Sequence, residues 1–156
     1  MQEYKVSVEA VGTVVGGRTE EFDDDWNTER AVIRLDGEQY TPAALAGLDA
    51  FSHLEVVFVL HRVDPAGVQT ASRRPRSNPD WPLVGIFAQR GKNRPNRLGV
   101  SRCRLERVDG LDVHVAGLDA IDGTPVLDIK PYMVEFGPQG EVEQPSWAGE
   151  LMRSYY

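Results

Sequence analysis

The apolar residues of this chain occur in short, strand-sized blocks, and this limits the folds that the chain can adopt. The longest block, LEVVFVL, runs only from Leu54 to Leu60, whereas a membrane-spanning helix needs roughly 20 apolar residues. Short blocks bounded by Gly, Pro, Asp and Asn are typical of β-strands. We therefore predict a mainly β, barrel-like single domain with seven or so strands, because a partly closed barrel buries such a set.

The predicted strands follow from the alternation of apolar and polar residues and from the turn residues between them. The block around LEVVFVL is nearly all apolar, so we expect both faces of that strand to be covered. The segments predicted as strands are residues 4–17, 30–37, 53–63, 83–90, the hairpin 98–120 with its turn at Asp109-Gly110, and 126–136. Residues 18–29, which are acidic, and residues 64–82, which contain four prolines, are predicted loops.

One or two short helices complete the prediction. Residues 40–51 favour a helix because Thr41 is a suitable N-cap and Pro42 fits the first helical position. Ser146 is a second candidate N-cap, for a short helix in the last residues. We divide the chain of 156 residues into a β-barrel domain, residues 1–137, and a C-terminal tail, residues 138–156.

The charge of the chain is divided between an acidic majority and one basic segment. The whole chain carries −7, but residues 62–107 carry +8 and the remainder carries −15. The net charge argues against a protein that coats nucleic acid non-specifically. The local positive charge favours an anionic group bound at a defined place. The alternative is that these arginines pair with the acidic half of the chain across the fold.

Several common kinds of site are not predicted. The chain contains neither a glycine-rich nucleotide-binding loop nor a Gly-x-Ser-x-Gly motif. His53 and His61 would lie about 26 Å apart on one strand and Cys103 has no partner at metal-ligand spacing, so we predict no metal site. A single cysteine excludes an internal disulfide, and the N-terminus lacks the apolar run of a signal peptide, so we expect a cytoplasmic protein without a membrane segment.

A basic loop, residues 90–99, carries groups suited to an anion. Pro95 stiffens its backbone, so the loop can hold Arg90, Arg94 and Asn96 toward one point. Arginine is the preferred residue for capture of a carboxylate or phosphate through two hydrogen bonds. The alternative interpretation is a solvated basic loop without a ligand.

A second polar segment, residues 117–132, contains the three carboxylates Asp119, Asp122 and Asp128. Asp128 and Lys130 are two residues apart in a predicted strand, so both project from the same face. We interpret this segment as one wall of a binding site. The alternative is an internal Asp–Lys pair on a solvent-facing surface.

Four motifs occur in this chain in one order: HLEVVFVLH, RRPR, VGIFAQRGKNRPNRLGVS and GLDAIDGTPVLDIKPY. Together they resemble the TsaA-like domain of the TrmO family, over about residues 11–132. The resemblance implies a small β-barrel methyltransferase, unlike the Rossmann type, that acts as a homodimer. It also implies that S-adenosylmethionine is the cofactor and that the substrate is N6 of threonylcarbamoyladenosine, next to the anticodon of certain tRNAs.

The resemblance also implies the residues of the site. The implied cofactor-binding residues are Phe87, Ala88, Arg90, Arg94, Asn96, Leu118, Asp119, Asp122, Gly123 and Thr124. The implied substrate contacts are His61, Arg74, Arg76 and Arg97. An amide-like N6 is a poor nucleophile whose proton must be removed, so we predict that Asp128 or Tyr132, with Lys130, forms the catalytic group.

Two other functions remain open from the sequence. The first is methylation of a small molecule, which is favoured by the acidity of the chain and by the lack in this sequence of the further C-terminal domain of bacterial members. The second is a module that binds S-adenosylmethionine without catalysis. In each case S-adenosylmethionine is the expected ligand; the first alternative has another methyl acceptor, and the second transfers no methyl group.

Overall fold

The computed structural model describes all 156 residues, and its secondary structure consists mainly of short β-strands. The strands are β1 Gly12–Val15, β2 Arg30–Leu35, β3 His53–Val59, β4 Ser72–Arg73, β5 Val84–Gly85, β6 Leu98–Asp109, β7 Asp112–Ala116 and β8 Pro125–Pro131. Six of them close into an antiparallel barrel in the order β1-β2-β7-β6-β3-β8, and β4 pairs only with β5. The predicted fold class, a mainly β barrel-like domain, is confirmed.

The core of the barrel consists of alternate residues of each strand, because successive side chains of a strand point to opposite faces. In β3 the side chains of Leu54, Val56 and Phe58 are buried, while the residues between them are half-buried. The prediction that both faces of this strand are covered is therefore corrected, since only one of them faces the core. β6 contributes Cys103 to the same core, where burial raises the pKa of the thiol to about 12.

The first strand is shorter than predicted. Residues 4–10 alternate as a strand would, but the structure places them outside the barrel, and Val6 and Val8 remain exposed. β1 begins where both neighbouring strands offer partners, because Gly12 pairs with Leu35 of β2 and with Val126 of β8. Alternation alone could not show where pairing begins, because backbone hydrogen bonds to a neighbouring strand decide it.

The helical predictions are partly confirmed. Residues 40–51 form two 3-10 turns, Pro42–Leu45 and Leu48–Ala50, separated by Gly47 in the left-handed region at φ 86°. The tail contains one α-helix, α1 Ser146–Met152. Pro145 occupies the N-cap position, so Ser146 is the first helical residue rather than the N-cap. No side chain caps the helix. The structure contains no helix that could span a membrane.

The hairpin β6–β7 has the predicted turn, with Gly110 at φ 60°. β8 ends at Pro131 instead of continuing to residue 136, and residues 134–136 form a 3-10 turn. Proline has no N–H to donate to the next strand, which accounts for the end of the strand there. The chain therefore leaves the barrel after β8, and residues 138–156 are free to pack against its outside.

Candidate functional site

A cavity of about 950 Å³ lies at the surface of the barrel, where several loops meet the strands β3 and β6. Its volume is within the range of small-molecule sites, roughly 300–1,000 Å³. The parts of the chain that surround it are residues 21–26, 58–63, 73–76, 89–94, 98–102, 119–124 and 151–156. The two segments singled out by their charge, 90–99 and 117–132, thus contribute to one cavity.

Asp119 is held in the cavity by its neighbours in the loop between β7 and β8. Leu118 and Ala120, on either side of it, are buried in the barrel core, so the backbone is anchored on both sides of the half-buried carboxylate. The hydroxyl of Ser101 donates a hydrogen bond to Oδ1 of Asp119, and the hydroxyl of Tyr155 donates one to Oδ2. Both carboxylate oxygens are therefore oriented by neutral donors.

Asp119 is the only one of the four carboxylates lining the cavity that has no basic partner. The other three form ion pairs: Glu21 with Lys92 at 3.6 Å, Asp23 with Arg76 at 3.9 Å and Glu55 with Arg102 at 2.9 Å. No basic side chain of the protein is therefore paired with the Asp119 carboxylate, which leaves it available to a ligand. The arrangement suits a ligand that carries a positive charge or donates hydrogen bonds.

The arginines predicted to bind an anion largely hold loops in place. Each guanidinium donates to a backbone carbonyl oxygen: Arg74 to Trp81 at 2.6 Å, Arg90 to Val100 at 2.6 Å, Arg94 to Gln89 at 2.7 Å and Arg97 to Val63 at 2.9 Å. Only Arg90 and Arg94 of these four line the cavity. A guanidinium has five N–H donors and a carbonyl does not neutralise it, so the positive charge remains at the cavity wall.

Arg73 is the cavity arginine that the structure leaves without a partner. Its side chain is half-buried and lines the cavity, and it forms no hydrogen bond or ion pair. Sequence reasoning selected Arg74 and Arg76 from the same motif and missed Arg73. Arg76 also lines the cavity but is paired with Asp24 at 2.9 Å, whereas Arg73 lies in β4, which pairs with β5, and nothing in the spacing of the motif predicts this difference.

The acidic loop on one side of the cavity is held by Arg18. Its guanidinium lies over the rings of Trp26 and Phe22, 3.8 and 5.4 Å from their centroids. It also donates to Oε1 of Glu29 at 3.1 Å and to the carbonyl oxygens of residues 22, 24 and 25. Contacts of both kinds are stabilising, and they bring Phe22 and Trp26 to the cavity wall.

The cavity brings together six of the predicted site residues: His61, Arg76, Arg90, Arg94, Asp119 and Thr124. His61 lies beside Gly123, which adopts the left-handed region at φ 84° that favours glycine. Asp122 does not line the cavity. Its Oδ1 accepts a hydrogen bond from the backbone amide of Gly16 at 2.8 Å. This bond ties the loop that carries Asp119 to the end of β1.

The remaining predicted residues lie outside the cavity lining. Asp128 and Lys130 form an ion pair of 2.9 Å on the outer face of β8, because the residue between them packs against the barrel core. The guanidinium of Arg102 lies over the ring of Tyr132, with Cζ 4.7 Å from the ring centroid. The structure thus separates the predicted catalytic group from Asp119.

The predicted cofactor-binding residues Phe87, Ala88 and Asn96 are exposed, and Leu118 is in the core.

Sequence reasoning also missed the tail. Leu151, Met152, Tyr155 and Tyr156 line the cavity, although the tail is predicted only as a short helix. Tyr155 is 36 residues from Asp119 in the chain, and no spacing rule connects the two. Only the return of the tail to the barrel brings them together.

A closed six-stranded antiparallel barrel with a charged cavity on its side defines a small β-barrel ligand-binding domain, distinct from the α/β nucleotide-binding folds. The family model of the tRNA-methyltransferase O N-terminal domain matches residues 24–137. Because the match covers most of the chain, the chain belongs to this family.

Relatives and solved structures agree with the family. A human tRNA (adenine(37)-N6)-methyltransferase is 38% identical over 102 residues, which are 65% of this chain and 23% of the human protein. RcsF of Pseudomonas aeruginosa, named as an S-adenosylmethionine-dependent methyltransferase, is 39% identical over 93 residues, 60% of this chain and 38% of RcsF. The crystal structure of TrmO from Pseudomonas aeruginosa superposes with a TM-score of 0.72 at 28% identity, covering 90% of this chain and 62% of that one. The chain spans less than half the length of either curated relative.

Proposed function

We propose that this chain is the catalytic domain of an S-adenosylmethionine-dependent methyltransferase that methylates N6 of adenosine 37 in tRNA, where the adenosine carries a threonylcarbamoyl group. The observation that carries the proposal is Asp119, a carboxylate without a basic partner in a cavity of about 950 Å³. Support comes from the family and from relatives named for this reaction.

The residues of the cavity fit S-adenosylmethionine. The ligand has two positive groups, a sulfonium and an ammonium, and Asp119 can bind either its ammonium or its ribose hydroxyls. Its carboxylate suits Arg73, the unpaired guanidinium of the cavity, through two hydrogen bonds. The apolar side chains of Phe58, Val63 and Ile121, which also line the cavity, suit its adenine ring.

When bound, S-adenosylmethionine supplies a methyl group already activated on sulfur, so alignment of donor and acceptor contributes much of the acceleration. The protein then has to hold both reactants and assist the loss of the N6 proton. The catalytic assignment of Asp128, Tyr132 and Lys130 stays a prediction, as do the substrate contacts of His61 and Arg76.

A tRNA substrate is supported by the positive charge around the cavity, despite the net charge of −7. Arg62, Arg73, Arg90, Lys92 and Arg94 all contribute to the lining. Phosphate contacts by such residues release counterions, so tRNA binding is expected to weaken steeply as salt is raised. A cytoplasmic location agrees with a tRNA substrate and with a single cysteine that has no disulfide partner.

Methylation of tRNA in vitro tests the proposal. The purified chain and S-adenosylmethionine are incubated with tRNA from a strain that lacks the N6 methyl group, and the nucleosides are analysed by mass spectrometry. We expect the N6 hydrogen of threonylcarbamoyladenosine to be replaced by a methyl group, so that the nucleoside gains the mass of one CH2 unit. Binding of S-adenosylmethionine without any change in the tRNA would contradict the substrate and favour a small-molecule acceptor or a non-catalytic module. Absence of cofactor binding would contradict the whole proposal.

We further propose that the chain acts as a homodimer. Support comes from Leu83 and Phe87, two large apolar side chains before and after β5 that are 60% and 78% exposed, since exposed apolar patches mark interaction surfaces. Light scattering of the purified chain is expected to give twice the chain mass, and Phe87→Glu to halve it. A wild-type chain with the mass of one copy would contradict the dimer.

A further inference from the structure

The tail closes one side of the cavity and is attached at several points. Nε1 of Trp81 donates a hydrogen bond to Oε2 of Glu150 in α1, at 3.0 Å. After α1 the backbone amides of Asp25 and Trp26 donate to the carbonyl oxygens of Ser154 and Tyr155, at 2.9 and 2.8 Å. The end of the tail is thus joined to the acidic loop by two backbone hydrogen bonds, which hold the backbone of Tyr155 beside the cavity.

Tyr155 is held as a hydrogen-bond donor at neutral pH. Burial, followed by the charge of Asp119, raises the pKa of its phenol well above the usual range, so the hydroxyl keeps its proton. The neighbouring ring of Tyr156 packs edge-on against it with centroids 4.9 Å apart. The hydroxyl of Tyr156 forms no hydrogen bond in the structure, so the two tyrosines have different roles.

The orientation of Asp119 depends on the tail. Ser101 belongs to β6, within the barrel, and its hydroxyl orients only Oδ1. A carboxylate held at one oxygen can still rotate about its last side-chain bond, whereas donors at both oxygens define its plane. Each oxygen accepts two hydrogen bonds, so the lone pairs that Ser101 and Tyr155 do not use remain directed toward a ligand.

We propose that Tyr155 is a positioning residue, whose hydroxyl orients the Asp119 carboxylate for the positive or hydroxyl groups of S-adenosylmethionine. The inference rests on the proposed function, since it assumes the cofactor named there. It extends the functional part of the chain to the tail, beyond residue 137, where the family match ends.

Cofactor affinity of Tyr155→Phe, measured by calorimetry, tests this role. The change removes one hydroxyl and keeps the ring, so the thermal midpoint should stay close to that of the wild type. We expect Kd for S-adenosylmethionine to rise about tenfold. This value is at the lower end of the range expected when one hydrogen bond to a charged group is lost. At saturating cofactor, kcat for tRNA is expected to change less than twofold, because saturation offsets the weaker binding and the hydroxyl of Tyr155 acts through the Asp119 carboxylate.

Two further variants distinguish this role from a structural one. Tyr40→Phe also removes a hydroxyl but lies outside the cavity, beside the barrel core, and is expected to leave Kd unchanged. In the Asp119→Asn background, Tyr155→Phe is expected to change Kd less than twofold, because its effect acts through that carboxylate.

The outcomes separate the inference from the function on which it rests. If the wild type binds S-adenosylmethionine and Tyr155→Phe binds it equally well, the positioning role is overturned and the proposed function stands. The same holds if the tenfold loss persists without the Asp119 carboxylate. If the wild type does not bind S-adenosylmethionine at all, the proposed function is overturned, and the inference with it.

Discussion

Replacing Asp119 by asparagine is expected to weaken S-adenosylmethionine binding about 30- to 150-fold. The substitution keeps the size of the side chain and an oxygen acceptor, but it removes the one cavity carboxylate that has no basic partner. A hydrogen bond to a charged group contributes roughly 1.5–3 kcal/mol, and about 2–3 kcal/mol corresponds to this range because 1.4 kcal/mol is tenfold. Calorimetric titration of the purified variant measures the change.

A matched control separates the local charge from the net charge. Asp49→Asn makes the same change at an exposed residue that has no ion pair and does not line the cavity, and Kd is expected to stay within about twofold of the wild type. Thermal unfolding of both variants checks that each is folded. An Asp119→Asn protein that is folded and binds the cofactor as tightly as the wild type would exclude Asp119 from the site.

Gly12→Ala is expected to destabilise the barrel by about 3 kcal/mol and to lower the midpoint of thermal unfolding by about 6–12 °C. A Cβ at this position would lie 2.4 Å from the carbonyl oxygen of Arg34 and 3.1 Å from Cα of Leu35. Both atoms belong to the backbone of β2, which is paired on its other side with β7. The clash can be relieved only by moving a strand of the closed barrel, so the cost exceeds that of displacing a flexible side chain.

Gly85→Ala is the control for the loss of a glycine. Gly85 has a φ of −60°, which alanine adopts readily, and no atom lies within 4 Å of the added Cβ. Its midpoint is expected to remain unchanged or to rise slightly, since alanine reduces the freedom of the unfolded chain. Equal midpoints for the two variants would show that β1 and β2 separate at Gly12 at little cost, contrary to the closed barrel.

The extent to which the sequence predicted the fold varies between elements. The strand centres of β2, β3 and β6–β7 were predictable because each combines an apolar period with turn residues, as at Asp109-Gly110. The first residue of β1 was not predictable, because residues 4–10 have the same alternation as Gly12–Val15. Closure of the barrel depends on the pairing of β1 with β8, two segments more than 100 residues apart.

The site was predictable at the level of segments and less so at the level of side chains. The basic loop and the Asp119 segment were found because charge and turn residues are unusually dense there, and both contribute to the cavity. The direction of each arginine could not be found in this way. A guanidinium binds a backbone carbonyl as readily as a ligand, and the local path of the loop decides between them, as Arg94 shows.

The amino-acid sequence by itself determined that the chain is mainly β, that its positive charge is concentrated in one segment, and which family motifs it contains, because these properties depend on composition and local period. The tertiary structure alone decided that Asp119 is the carboxylate left without a basic partner, that Arg73 lines the cavity without a partner of its own, and that Tyr155 reaches Asp119. These are contacts between segments distant in the chain, and they follow from how the barrel closes and where its loops and tail pack.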